Sequence, residues 1–118
     1  MFKILDISKE NVIALKVTGK VKAEDYDRII PLLDQKIQEY GHIRCLADVS
    51  SLEGVNPDAF WKDFWFSIKH ANKFEKVAVV GAGPLIEGLS KLSSPFSKAK
   101  VKTFDEKEIM AATDWVKN

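Results

Sequence analysis

Ile43-Arg44-Cys45-Leu46-Ala47-Asp48-Val49 decides the fold. Ile43, Cys45, Ala47 and Val49 share one side of a period-two pattern, and Arg44, Leu46 and Asp48 share the other. That alternation predicts a strand with one strongly apolar face. Farther on, Val77 to Val80 is a continuous apolar run, the kind a parallel sheet buries on both faces.

On the N-terminal side, Phe2-Lys3-Ile4-Leu5-Asp6-Ile7 reads as a short strand and Val12 to Thr18 as a second one. The brief polar link Lys9-Glu10-Asn11 favours a hairpin between them, which Gly19 closes. From Ala23 to Tyr40 the pattern turns helical, with Tyr26, Ile29, Ile30, Leu33, Ile37 and Tyr40 three or four residues apart. Pro31 lies inside that pattern and predicts a kink or two helical pieces. Gly41 is placed to end the helix in a left-handed conformation.

On the C-terminal side, Asn56-Pro57-Asp58 supplies a cap, a first-turn proline and a favourable charge for a helix running to about Ala71. Pro84 opens another helix with Leu85, Ile86, Leu89 and Leu92 on one side. Lys100 to Phe104 is a last strand. Asp105 and Glu108 have capping-box spacing for a final helix bearing Ile109, Ala112, Trp115 and Val116. The order is β-β-α-β-α-β-α-β-α. It predicts an α/β domain over residues 1–118, with a mixed, mostly parallel five-stranded sheet and four to five helices.

Composition narrows the function classes. The 118 residues are 46% hydrophobic and 30% charged, as expected of a globular chain. A net charge of only +1 gives no reason to expect nucleic acid as a partner. No apolar run approaches membrane-spanning length and no charged-then-apolar leader follows Met1, so a cytoplasmic location is expected. Cys45 is the only cysteine and excludes an internal disulfide. The charge is uneven: residues 60–104 carry eight Lys against three Asp and Glu, while residues 1–59 carry eight Lys and Arg against ten acids.

Chemical motifs are sparse. Gly81-Ala82-Gly83 follows a strand and precedes a helix, with Gly88 and Asp105 farther on, but the glycine a dinucleotide fingerprint needs next is Ile86. His42 and His70 sit on different elements without metal-ligand spacing. Ser50, His70 and Asp48 form a triad only on paper, with no nucleophile elbow or oxyanion loop. Cys45 reads as a small buried hydrophobe. No catalytic residue, metal or cofactor is expected.

Several segments carry a family resemblance through their order and spacing. They are Ala23-Glu24-Asp25-Tyr26, Ile43-Arg44-Cys45-Leu46-Ala47-Asp48, Phe60-Trp61-Lys62-Asp63 and Ile68-Lys69-His70, followed by Lys76-Val77-Ala78-Val79-Val80-Gly81, Phe104-Asp105 and Ala112-Thr113-Asp114-Trp115. Over nearly its whole length the chain resembles the SpoIIAA-like family of the STAS group. The resemblance implies a SpoIIAA/STAS-like sheet packed by helices and a domain without catalytic machinery, similar in shape to anti-anti-sigma factors and to lipid-carrying domains. Anti-anti-sigma proteins carry a phosphorylatable serine at the start of the helix after the central strand. Here Asp48-Val49-Ser50-Ser51-Leu52-Glu53-Gly54 occupies that stretch, without the Asp-Ser-Ser-Gly turn of those proteins. Ser50 and Ser51 are the corresponding phosphosite candidates, against a plain reading as loop hydroxyls in turn hydrogen bonds.

The most unusual local feature is aromatic. Phe60, Trp61, Phe64, Trp65 and Phe66 place five of the chain's twelve aromatic residues within seven positions. Phe60, Trp61, Phe64, Trp65 and Ile68 fall on one broad helical stripe. A buried ring removes ~200 Å² from water, with an upper bound of roughly 5 kcal/mol each, so these rings need a destination. The sheet itself is one. The others are an apolar or lipid-like ligand held under the helix, a homodimer interface, and shallow insertion into a bilayer. Leu85, Ile86 and Leu89 would complete such a face, and Lys62, Lys69 and Lys73 flank it with charge suited to anionic headgroups. The expected function is binding: a lipid-like ligand with reversible membrane contact, or a protein-interaction switch at Ser50 and Ser51.

Overall fold

The computed structural model describes residues 1–5, 8–54, 73–81 and 100–118. Five strands form one sheet in the order β1-β2-β3-β4-β5: Phe2–Ile4, Val12–Gly19, Ile43–Leu52, Phe74–Val80 and Lys100–Phe104. β1 runs antiparallel to β2 as a hairpin, with Lys3 opposite Lys16, and every later pairing is parallel. The hairpin turn is tight. Lys9 and Val12 exchange backbone hydrogen bonds of 3.0 Å, and Glu10 takes a left-handed φ of 56°. Successive strands lie side by side, so the order never reverses among the described strands.

α1, Ala23–Tyr40, lies on one face of the sheet and places Ile29, Leu33 and Ile37 there. Against them pack Ile13, Leu15 and Val17 of β2, Cys45, Ala47 and Val49 of β3, and Val77 and Val79 of β4. The opposite face carries Val12, Ala14, Leu46, Ala78, Val80 and Phe104, covered by Ala112 and Val116 of α2, Ile109–Lys117. β3 is therefore buried on both faces. The expectation of a single apolar face is corrected by Leu46, which α2 and its neighbours seal from solvent. The capping box forms as expected: Asp105 N–H donates to Glu108 Oε1 at 3.0 Å and Lys107 N–H donates to Asp105 Oδ1 at 3.2 Å. It opens a short 3-10 turn, Glu106–Glu108, that leads into α2.

Pro31 does not split α1, which corrects the two-piece alternative of the sequence reading. A helical proline forfeits one bond to the carbonyl four residues back. Here Asp27 and Pro31 are both exposed, so that carbonyl belongs to the solvent side rather than the core. Gly41 ends α1 at φ 81°, donating to the Ile37 carbonyl at 2.7 Å. Two α-helices are present among the described residues. The helices expected from Asn56 to Ala71 and from Pro84 through Leu92 lie outside those residues, and so do Asp6 and Ile7 of the expected first strand.

Candidate functional site

Because β2, β3 and β4 are parallel, their carboxyl ends meet at one rim of the sheet, where α/β proteins usually place their sites. The rim is built by an irregularity in β3. Lys16 pairs with Asp48 and Thr18 pairs with Ser51, so two steps on β2 match three on β3. The extra residue is a β-bulge, a device that re-aims side chains at the end of a strand.

Asp48 holds the bulge from inside. It is the buried polar side chain among the described residues, only 7% exposed. Its Oδ1 accepts two hydrogen bonds from Ser50, from the backbone N–H at 3.0 Å and from the hydroxyl Oγ at 2.6 Å. A short acidic side chain bonding the backbone two residues on is what aspartate does in turns. From the other side, Gly81 lies against Ser50 at φ 83°. A Cβ there would come within 2.9 Å of Ser50 Cα and 3.0 Å of its nitrogen, so no larger residue fits without displacing the strand.

The β2 end is knitted to the same rim. Gly19 pairs with Leu52, and Glu53 N–H donates to the Gly19 carbonyl at 2.9 Å. Gly54 turns at φ 86° beneath the aliphatic stem of Lys20. Between these strands lies an open hollow of about 440 Å³, lined by Thr18, Gly19, Ser50, Ser51, Leu52 and Glu53. Both serines are exposed and both belong to β3, not to a loop after it. The Ser50 hydroxyl does make the short local bond expected of a turn hydroxyl, but from within a strand.

A second hollow, about 640 Å³, borders the start of α1. Among the described residues Val21, Ala23, Tyr26, Ile30 and Pro31 give it apolar walls, with Lys22 and Asp27 at its margin. Phe60, Trp61, Lys62, Phe64, Trp65, Ile68, Lys69, Leu85, Ile86 and Leu89 lie outside the described residues, as does His70. Lys73 is described and exposed, immediately before β4.

The histidine of the Ser50, His70 and Asp48 triad lies outside the described residues, and the described one is remote from the rim. His42 precedes β3 at its opposite end, roughly 25 Å from Ser50 along an extended strand. It lies 3.1 Å from Glu75, which also accepts from Arg44 Nε at 2.7 Å. Cys45 is fully buried, and burial pushes its thiol up to about 12, which removes it as a nucleophile. No cluster of three metal-ligating side chains occurs among the described residues. What the rim offers is two accessible hydroxyls on a fixed backbone.

The model of the SpoIIAA-like family matches residues 12–117. The chain belongs to the SpoIIAA-like family. An uncharacterised protein of Shewanella loihica PV-4 with a SpoIIAA-like fold is 31% identical, with a TM-score of 0.66 over 98% of this chain and 92% of that one. The unphosphorylated anti-sigma factor antagonist SpoIIAA matches with a TM-score of 0.54 at 9% identity, covering the whole of both chains. The Bacillus cell fate determinant SpoIIAA in its phosphorylated form gives 0.54 at 10% identity, over 94% of this chain and 97% of that one. At such identities the last two establish the shared fold alone. No curated protein matches the chain. Within this SpoIIAA-like fold, the sequence singled out Ser50 and Ser51 but missed Asp48 and Gly81 as the residues that fix them. The available signals were an acid two positions before a serine and a glycine directly after a buried strand.

Proposed function

We propose that this SpoIIAA-like domain is a non-enzymatic binding module that meets a protein partner through the carboxyl rim of its sheet. Phosphorylation of a rim serine is the event that switches the contact. The observation that carries this reading is the exposure of Ser50 and Ser51 on the bulged end of the central strand, beside an open hollow. The fold is shared with an anti-sigma factor antagonist and with a SpoIIAA solved in phosphorylated form, which supports a protein switch by analogy of fold. A phosphoryl group brings about −1.5 to −2 charges and three acceptor oxygens, enough to remake a small contact surface.

The test is to recover the protein from its own cells and map phosphate on the tryptic peptide Cys45–Lys62. In parallel, a photocrosslinking residue is installed at Leu52 or, as control, at Met110. Phosphate at Ser50 or Ser51 and a single protein adduct specific to position 52 are expected. An unmodified peptide with equal crosslinking at both positions would remove the rim from consideration.

A second reading rests on the aromatic stretch and the apolar hollow at the start of α1. In it, a lipid-like molecule sits among Phe60, Trp61, Phe64, Trp65 and Ile68, with Leu85, Ile86 and Leu89. Lys62, Lys69 and Lys73 then favour an anionic membrane surface. The same apolar stripe would serve a homodimer. Among the described residues no helix is long and apolar enough to cross a membrane, so the reading concerns surface contact. Flotation with anionic and neutral vesicles, comparing the native chain with Trp61→Ala/Trp65→Ala, decides it. Flotation confined to the folded native chain supports the reading, and no flotation of either protein ends it.

A further inference from the structure

We propose that Ser50, not Ser51, is the switching residue of the rim, and that Asp48 is the spring: phosphorylation of Ser50 drives it off Gly81 by repulsion from within the fold. This rests on the reading of the rim as a phosphorylation-regulated contact and specifies how the charge acts.

The argument starts from the short bond. Ser50 Oγ donates its only proton to Asp48 Oδ1 at 2.6 Å, and the same oxygen accepts the Ser50 N–H. A protein kinase transfers the terminal phosphoryl group of a nucleoside triphosphate to that Oγ. The bond to the leaving diphosphate breaks, the new O–P bond forms, and the hydroxyl proton goes to the kinase's base. The product has no proton to donate. An ester oxygen bearing a phosphate then faces a carboxylate at hydrogen-bond distance, and a phosphate beside an acid disrupts by like charge.

Neither group has an easy retreat. Asp48 is buried and pinned in the central strand, with Lys16 and Val80 as its register neighbours. Ser50 is backed by Gly81, whose missing side chain is the space that the Ser50 backbone occupies. The strand end is the freer partner, since Ser50, Ser51, Glu53 and Gly54 are all exposed. Relief comes when the segment from Ser50 to Gly54 leaves Gly81 and pulls Glu53 from the Gly19 carbonyl. Ser51 behaves differently. It is the register neighbour of Thr18, and a phosphate there leaves the Ser50–Asp48 bond intact.

The experiment installs phosphoserine genetically at position 50 or 51 and follows amide exchange across Thr18–Lys20 and Ser50–Gly54. Phosphoserine at 50 should speed exchange of both segments roughly tenfold or more, and at 51 by less than about twofold. In an Asp48→Asn background the effect at 50 should shrink to that seen at 51. Equal protection with phosphate at 50 and 51 overturns the proposal, and so does an undiminished effect in Asp48→Asn. Should Asp48→Asn fail to fold, the comparison of 50 with 51 in the native background decides alone. The readout needs no partner. A cell-derived protein without phosphate would sink the regulatory reading of the rim, whereas an insensitive rim would sink only the spring.

Discussion

The Cβ that Gly81 lacks would stand 2.6 Å from the Cβ of Ser50. Real carbon atoms do not approach so closely, and the φ of 83° at Gly81 is itself unfavourable for any residue with a side chain. Gly81→Ala should therefore cost roughly 1–3 kcal/mol, read as a lower urea midpoint at unchanged slope. An unshifted midpoint would mean that the Ser50 strand yields without resistance.

Leu46 and Met110 offer a contrast in burial. Leu46 is enclosed between sheet and α2, whereas Met110 is 78% exposed on the outer side of the same helix. Truncating Leu46 to alanine should destabilise by about 2–5 kcal/mol through lost transfer energy and a residual cavity. Met110→Ala should stay within about 0.5 kcal/mol. Denaturant titration of the two variants side by side checks both numbers.

The last helix is tied to the sheet by two cations. Arg44 Nη1 donates to the Val116 carbonyl at 3.0 Å, and Lys76 Nζ donates to the Trp115 carbonyl at 3.1 Å while lying 5.1 Å from the Trp115 ring centre. Both satisfy carbonyls at the helix end that carries partial negative charge. Arg44→Ala should cost about 1–2 kcal/mol and accelerate amide exchange in Ala112–Val116 more than in Ile29–Ile37. Uniform acceleration across both helices would show that the loss is global instead.

Acid should weaken the start of α1. Asp25 accepts the Lys22 N–H at 2.8 Å, and this bond above all holds its carboxyl below the ordinary value of 3.8. A carboxyl lowered on folding contributes stability that is complete above the unfolded value and drains as pH falls through the folded one. Asp25→Asn keeps an acceptor oxygen but not the charge. Its stability profile should be flatter than the native one below about pH 4. Parallel slopes in urea titrations from pH 5 to pH 2.5 would contradict this.

Much of the fold was legible because it rests on short-range periodicity. The alternation at Ile43–Val49 and the run at Val77–Val80 gave two central strands, and Lys100–Phe104 was read to the residue. Gly41 and the Asp105–Glu108 box marked real helix ends, since capping is local chemistry. What escaped was non-local. Nothing near Pro31 announces that Asp27, whose carbonyl it leaves without a helical donor, is exposed, and nothing near Leu46 announces a helix arriving from residues 109–117. The bulge that puts Ser50 and Ser51 in a strand depends on the register against β2, which no window on β3 alone contains. Gly81 stands in the sequence as part of an incomplete glycine fingerprint, although its role is to make room for a strand about thirty residues earlier.

The sealed thiol of Cys45 gives the molecule a built-in clock. Because the sulfur lies buried between the sheet and α1 and stays protonated at any physiological pH, a thiol reagent reaches it only when α1 lifts away or β3 parts from its neighbours. Its labelling rate therefore counts the openings of this side of the core. An event that frays only the rim should leave that count unchanged, while one that loosens the sheet should raise it.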